Sequence, residues 1–123
     1  MAQLAAKIID QQPAMPAAID RGHLARMTFG DRSLEREVLQ LFDRQADLLL
    51  ARMRDREPSS VATLAHTLKG SAAGIGASFV ARSADETELA ASRSPAECSV
   101  AIDRLALAVD QARVLIAELL REA

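Results

Sequence analysis

Apolar residues recur at three- and four-residue steps in two long stretches of this chain, and such spacing places them on one face of a helix. A turn at residues 28–31 precedes the first stretch, and Asp31 or Ser33 is its predicted N-cap. The apolar stripe of this first helix is Leu34, Val38, Leu41, Phe42, Leu48, Leu49 and Met53. Ser94 and Pro95 open the last stretch. Its stripe is Cys98, Ile102, Leu105, Val109, Ala112, Ile116 and Leu119.

Two further long helices are predicted between these stretches. Pro58 marks the break after the first helix, and Ser59 or Ser60 can cap the second. Gly74 and Gly76 can supply the left-handed residue that ends it. The apolar stripe of the second helix is Val61, Leu64, Ala65, Leu68, Ala72 and Ile75. The third helix covers about residues 78–92, with core candidates Phe79, Val80, Ala84 and Leu89.

Shorter helical segments are predicted before the first long helix. One covers residues 3–11 and is ended by Pro13 and Pro16, and another covers residues 17–27. The chain has 123 residues, close to the commonest size of one domain. We therefore predict one domain over residues 1–123, with residues 1–17 as an N-terminal extension and residues 18–123 as the bundle.

Composition supports a helical fold. There is no Trp or Tyr and there are only three Phe, while the apolar residues are mostly Ala and Leu, which favour helices over strands. The predicted fold is all-α, an antiparallel up-down-up-down four-helix bundle with a short extra N-terminal helical segment.

Charge and hydropathy exclude several function classes. The net charge is −2 with both signs interspersed, whereas a nucleic-acid interface needs a basic face. No apolar run approaches the roughly 20 residues that span a bilayer, and Lys7 interrupts the apolar N-terminus, which makes a poor signal peptide. The single Cys98 fits a reducing compartment and is interpreted as an apolar core residue. These features predict a soluble, cytoplasmic monomer that binds neither membrane nor nucleic acid.

His66 lies on the second helix but points away from its apolar stripe. At 100° per residue its direction differs from that of the stripe by about 140°, so its imidazole is predicted to face solvent. Lys69 and Gly70 lie one turn further along. Glycine inside a helix costs about 1 kcal/mol relative to alanine, and its lack of a side chain would let a partner approach the imidazole closely. Lys69 can place an ammonium beside a phosphoryl group on the ring.

Small residues surround this trio on the same side of the helix. Ala62, Thr63 and Ala73 are candidates for a docking face. The chain has no GxxxxGK[ST] motif and no glycine-rich kinase loop. Neither ATP binding nor autophosphorylation is therefore expected. No acidic cluster that could hold Mg²⁺ is apparent beside His66 in the sequence.

Residues 65–88 resemble the histidine-containing phosphotransfer (HPt) domain, which has a His, one residue, Leu-Lys-Gly, small residues, Gly-Ala and a final Glu. The matching positions are His66, Leu68, Lys69, Gly70, Ser71, Gly76, Ala77 and Glu88. Residues 20–53 also look like the family. Its leucine-rich third helix is replaced here by one that carries Val80, Ser83 and Thr87.

The resemblance implies a phosphocarrier of a two-component system. His66 would accept a phosphoryl group from the aspartyl phosphate of a response-regulator receiver domain and pass it to another. Lys69 would stabilise the phosphoryl group, and Gly70 would allow the close approach of the partner. The partners implied are receiver domains and/or a hybrid sensor histidine kinase. The chain would hold no cofactor or metal of its own, and the receiver would supply Mg²⁺.

Three alternatives remain open at this point. The chain could be a helical-bundle adaptor that docks signalling partners without carrying phosphate. It could hold a metal through His66 or His23, although the single Asp-x-x-His that begins at Asp20 is a weak signal. It could also be a phosphorylatable domain of a larger kinase.

Overall fold

The computed structural model describes residues 18–55 and 58–122, except for the side chains of Pro58 and Ser59. These residues form five helices and no strand, which confirms the all-α prediction. The helices are α1 (Arg21–Met27), α2 (Arg32–Arg54), α3 (Pro58–Gly74), α4 (Ser78–Ala91) and α5 (Pro95–Arg121). The predicted helix at residues 3–11 and the extension at residues 1–17 lie outside the described residues.

Side-chain caps fix the starts of the two longest helices. Asp31 is the N-cap of α2 and accepts a hydrogen bond from the Leu34 amide at 3.1 Å. Ser94 caps α5 in the same way and accepts from the Glu97 amide at 3.1 Å. Each cap satisfies a backbone donor that has no partner inside the helix. The predictions for Asp31 and Ser94 are confirmed.

The start of α3 differs from the prediction. This helix begins at Pro58, so Ser59 and Ser60 lie within its first turn and neither is the N-cap. Proline suits the first helical position, because its missing N–H would have no partner there and its fixed φ is already helical. Pro58 therefore starts the helix instead of only breaking the chain before it.

A glycine with positive φ ends α3. The Ala77 amide donates to the Ala72 carbonyl at 2.8 Å and the Gly76 amide to the Ala73 carbonyl at 3.2 Å. This pair of bonds is the Schellman motif, in which the left-handed residue is Gly76 with φ of 78°. Gly74, the other predicted stop, is the last helical residue and has no positive φ.

The core confirms the predicted stripe of α5 but corrects that of α2. All seven predicted α5 residues are buried. On α2, Leu41 and Leu48 are 57% and 52% exposed, while Leu39 and Ala46 are buried in their place. At 100° per residue, Leu41 and Leu48 lie roughly 130° from the centre of the buried face. These two leucines are therefore surface residues.

The α4 helix buries a threonine where a leucine was predicted. Leu89 is 51% exposed, whereas Thr87 is fully buried. Its hydroxyl donates to the Ser83 carbonyl at 2.8 Å and lies 3.3 Å from the Ala101 carbonyl of α5. A hydroxyl with such partners can be buried without a large desolvation cost. The predicted core residues Val80 and Ala84 are buried, and Phe79 is half-buried.

The four long helices form a ring in which α2 and α4 each pack against α3 and α5. Ion pairs join Asp43 to Arg113 and Arg54 to Asp103, so α2 and α5 run antiparallel. The full up-down-up-down order stays a prediction. None of the described helices is long and apolar enough to cross a membrane.

Candidate functional site

The α3 helix presents His66 to solvent. The imidazole side chain is 68% exposed, while Ala65 and Leu68 on either side of it are completely buried in the core. The predicted outward direction of His66 is therefore confirmed. Because Ala65 and Leu68 hold the helix on the core, the position of the imidazole is set by a rigid backbone.

Glu88 of α4 forms a hydrogen bond with Nδ1 of this imidazole. Its Oε2 lies 2.9 Å from His66 Nδ1 and its Oε1 lies 3.4 Å from the same atom. An ionised carboxylate only accepts hydrogen bonds, so this contact assigns the proton of a neutral ring to Nδ1. The lone pair then lies on Nε2, for which the described residues provide no hydrogen-bond partner. Nε2 is thus the atom available to react.

Lys69 lies between two carboxylates of α4. Its Nζ donates to Asp85 Oδ1 at 2.9 Å and to Glu88 Oε1 at 3.4 Å. The hydrogen bond to Asp85 is the largest cause that raises the pKa of Lys69, with further support from the charges of Asp85 and Glu88. The ammonium is therefore charged at neutral pH. Glu88 also contacts the imidazole, so His66 and Lys69 share one acidic neighbour.

Open space surrounds the glycine that follows Lys69. A Cβ built on Gly70 would have no heavy atom within 4 Å outside its own helix backbone, so nothing in the fold itself requires glycine at this position. Thr63 and Ala73 are exposed, and Ala62 is half-buried. All the predicted site residues therefore lie together on α3, on the side away from the core.

The predicted antiparallel arrangement of α2 and α3 would place Leu48 of α2 near the level of His66. Met53 and Val61 line one pocket near the junction of α2 and α3. Leu48 precedes Met53 by five residues and His66 follows Val61 by five. Each therefore lies about 7.5 Å along its helix from that pocket. Leu41 lies two turns beyond Leu48 on the same face of α2.

The sequence reasoning missed two contributors to this site, Glu88 and Asp85, and misassigned Leu48 of α2. Glu88 belonged to the family pattern but was given no role, and Asp85, one turn before it, was not considered. Leu48 was assigned to the core. A signal for the first two exists in the sequence, because an acidic pair at i, i+3 marks one face of α4.

The remaining titratable candidates lie outside this site. His23 is on α1, and its Nε2 is buried without a hydrogen-bond partner among the described residues. Cys98 is buried, and burial raises the pKa of its thiol, which makes it a poor nucleophile. Within residues 18–55 and 58–122, no group of three or more His, Cys, Asp or Glu side chains is arranged to hold a metal ion.

Comparison with known proteins assigns the chain to a family. The family model of the Hpt domain matches residues 32–115, more than half of the chain. No curated protein matches the chain in sequence. The fold is similar to the X-ray structure of a rice protein assigned as a histidine-containing phosphotransfer protein, with a TM-score of 0.76. The sequences are 19% identical, and the match covers 98% of this chain and 88% of the rice chain.

The chain belongs to the Hpt domain family. Its role is therefore histidine phosphotransfer in a phosphorelay, as the resemblance around His66 had indicated. The rice structure adds support for the helical-bundle fold alone, since its sequence identity is low.

Proposed function

We propose that His66 Nε2 accepts a phosphoryl group from the aspartyl phosphate of a response-regulator receiver domain and passes it to a second response regulator. The observation that carries this proposal is the 2.9 Å contact between Glu88 and His66 Nδ1. That contact leaves Nε2 unprotonated on an exposed, rigidly held ring, and a neutral imidazole is a good nucleophile near pH 7.

The transfer step needs little covalent chemistry from the protein. The Nε2 lone pair forms a bond to phosphorus while the bond from phosphorus to the receiver's aspartate oxygen breaks. The electron pair of that bond leaves on the regenerated aspartate carboxylate, and the proton on Nδ1 stays in place. Because the ring becomes cationic, the carboxylate of Glu88 stabilises the product, as a charge-assisted hydrogen bond does. Transfer to the next receiver reverses these changes.

Lys69 and Gly70 assist transfer of the phosphoryl group in different ways. The Lys69 ammonium contacts Glu88, which contacts the imidazole, and we expect it to reach and offset charge on a phosphoryl group at the site. Phosphoryl transfer depends mainly on positioning and electrostatic stabilisation of this kind. Gly70 leaves the approach to the ring open.

The docking face combines small and aliphatic side chains. Ala62, Thr63 and Ala73 of α3 provide small side chains, and we assign the exposed Leu41 and Leu48 of α2 to the same face. An apolar patch with a polar rim suits a transient protein interface of modest size. The receiver is proposed to lie across α2 and α3 with its aspartyl phosphate over Nε2.

The chain acts in this proposal as a phosphocarrier without ATP binding or autokinase activity. Asp85 Oδ1 and both oxygens of Glu88 already contact Lys69 and His66, and we expect Mg²⁺ to be supplied by the receiver. A hybrid sensor histidine kinase is a second class of partner. A cytoplasmic, monomeric protein remains the expectation from composition.

The test is transfer of labelled phosphate from a phosphorylated receiver domain with Mg²⁺, comparing the unaltered chain with His66→Gln. We expect acid-labile, base-stable label on the unaltered chain and none on the variant. Helical content should be unchanged, because the imidazole lies outside the core. If several receivers left no label on the unaltered chain, the proposal would fail and the adaptor interpretation would stand.

A further inference from the structure

We propose that Asp85 is a positioning residue that holds Lys69 away from the phosphoryl group and so biases the phosphotransfer equilibrium toward the receiver. This inference rests on the proposed function of His66. Asp85 lies outside the sequence motif around His66. The role proposed for it is to set the fraction of the chain that is phosphorylated at equilibrium with the receiver.

Asp85 is the closest partner of Lys69. The distance from Lys69 Nζ to Asp85 Oδ1 is 2.9 Å, against 3.4 Å to Glu88 Oε1. The side chains of Lys69 and Asp85 are 34% and 49% exposed, so neither is buried in a fixed position. A phosphoryl group on His66 must therefore compete with Asp85 for the ammonium.

The local charges make this competition matter. Near neutral pH, one ammonium and two carboxylates give the cluster a net charge of about −1 before any phosphate arrives. A phosphoryl group adds roughly −1.5 to −2 charge. Both carboxylates repel an incoming phosphoryl group, but Glu88 also stabilises the imidazole through its hydrogen bond to Nδ1. Asp85 has no such contact with His66, so its charge only opposes phosphorylation. Its removal should free Lys69 and reduce the repulsion, and both changes favour phosphohistidine.

The experiment measures the equilibrium distribution of labelled phosphate between the chain and one receiver, approached from phosphorylated chain and from phosphorylated receiver. The variant is Asp85→Asn, which keeps the shape and an acceptor oxygen but removes the charge. Glu86→Gln is the matched control. Glu86 is an exposed neighbour on α4 that does not contact Lys69, and this substitution removes the same charge.

We expect Asp85→Asn to raise the ratio of phosphorylated to unphosphorylated chain at equilibrium by about two- to fivefold, the range of half-exposed ion pairs. Glu86→Gln should leave the ratio unchanged. The inference is overturned if Asp85→Asn lowers the ratio or leaves it unchanged, or if Glu86→Gln raises it equally.

Failure of this inference can be distinguished from failure of the proposed function of His66. If His66 of the unaltered chain takes no phosphate, then the function itself is wrong. A shift that Asp85→Asn produces in the unaltered chain but not in a chain that also carries Lys69→Ala supports a role through Lys69, whereas an equal shift in both would overturn it.

Discussion

The two sides of His66 differ in chemistry. Toward α4 its neighbours are charged, with Glu88 on the ring nitrogen and Lys69 held between Glu88 and Asp85. On α2, by contrast, the exposed leucines Leu41 and Leu48 are apolar, and each is about half exposed. The side of His66 that faces α4 is therefore charged, whereas the exposed leucines of α2 are aliphatic.

This division separates two tasks of a phosphocarrier. Charged groups beside the ring set which nitrogen reacts and how stable the phosphorylated form is. An exposed apolar patch instead favours a protein partner, with little effect on the chemistry. We therefore expect substitutions on the α4 side to change transfer rates and equilibria, and substitutions on the α2 side to change partner affinity.

The largest effect on the α4 side is expected from Glu88→Gln. Hydrogen bonds to charged groups contribute about 1.5–3 kcal/mol, so phosphorylation of His66 should slow by about 10- to 100-fold. The measurement is the rate of phosphoryl acceptance at saturating phosphorylated receiver. Affinity for the receiver should change much less, and a change in affinity alone would contradict the division between the two sides.

On the α2 side, Leu48→Asp should weaken receiver binding by about tenfold, because it places an uncompensated charge within the docking face. Leu107→Asp is the matched control, since Leu107 is 65% exposed on α5 and lies outside the proposed face. Titration of the receiver by calorimetry measures both variants. Equal losses of receiver affinity in the Leu48→Asp and Leu107→Asp variants would show that α2 is not part of the interface.

The smallest effect is expected at Gly70, which lies between the two sides. Gly70→Ala should raise the free energy of unfolding by about 0.5–1 kcal/mol, because glycine is a poor helix former and the added methyl meets open space. The same methyl should weaken receiver binding a few-fold, as about 1 kcal/mol of steric conflict would. Denaturant unfolding and the binding titration measure these opposite changes.

Gly76→Ala is the contrasting variant for the unfolding measurement. Gly76 has φ of 78°, and a Cβ there would lie 3.0 Å from the Asp20 carbonyl oxygen. It should lower the free energy of unfolding, since both the backbone conformation and the contact are strained. If Gly70→Ala also destabilised the fold, then the close-approach argument for Gly70 would lose its basis.

Features that depend on nearby residues in the chain could be predicted from the sequence. The caps at Asp31 and Ser94 follow from the residue types at the starts of periodic stretches. The stripe of α5 follows from a regular alternation of four- and three-residue steps that continues over three repeats. The outward direction of His66 follows from helix geometry alone.

Features that depend on how helices pack could not be predicted in the same way. Leu48, Leu49 and Leu50 are consecutive, so apolarity alone does not decide which of them faces the core. The pairing of His66 with Glu88 spans 22 residues and requires the register of α3 against α4. Hydrophobic periodicity sets the face of each helix but not that register.

The most direct test of the account is to identify the phosphorylated nitrogen. Phosphorus–nitrogen NMR of the chain after phosphorylation by a receiver distinguishes the two ring nitrogens of His66. We predict phosphorus bonded to Nε2, with Nδ1 still protonated against Glu88. Phosphorus on Nδ1, or on any other residue, would contradict the central claim that Glu88 leaves Nε2 of His66 as the reactive atom.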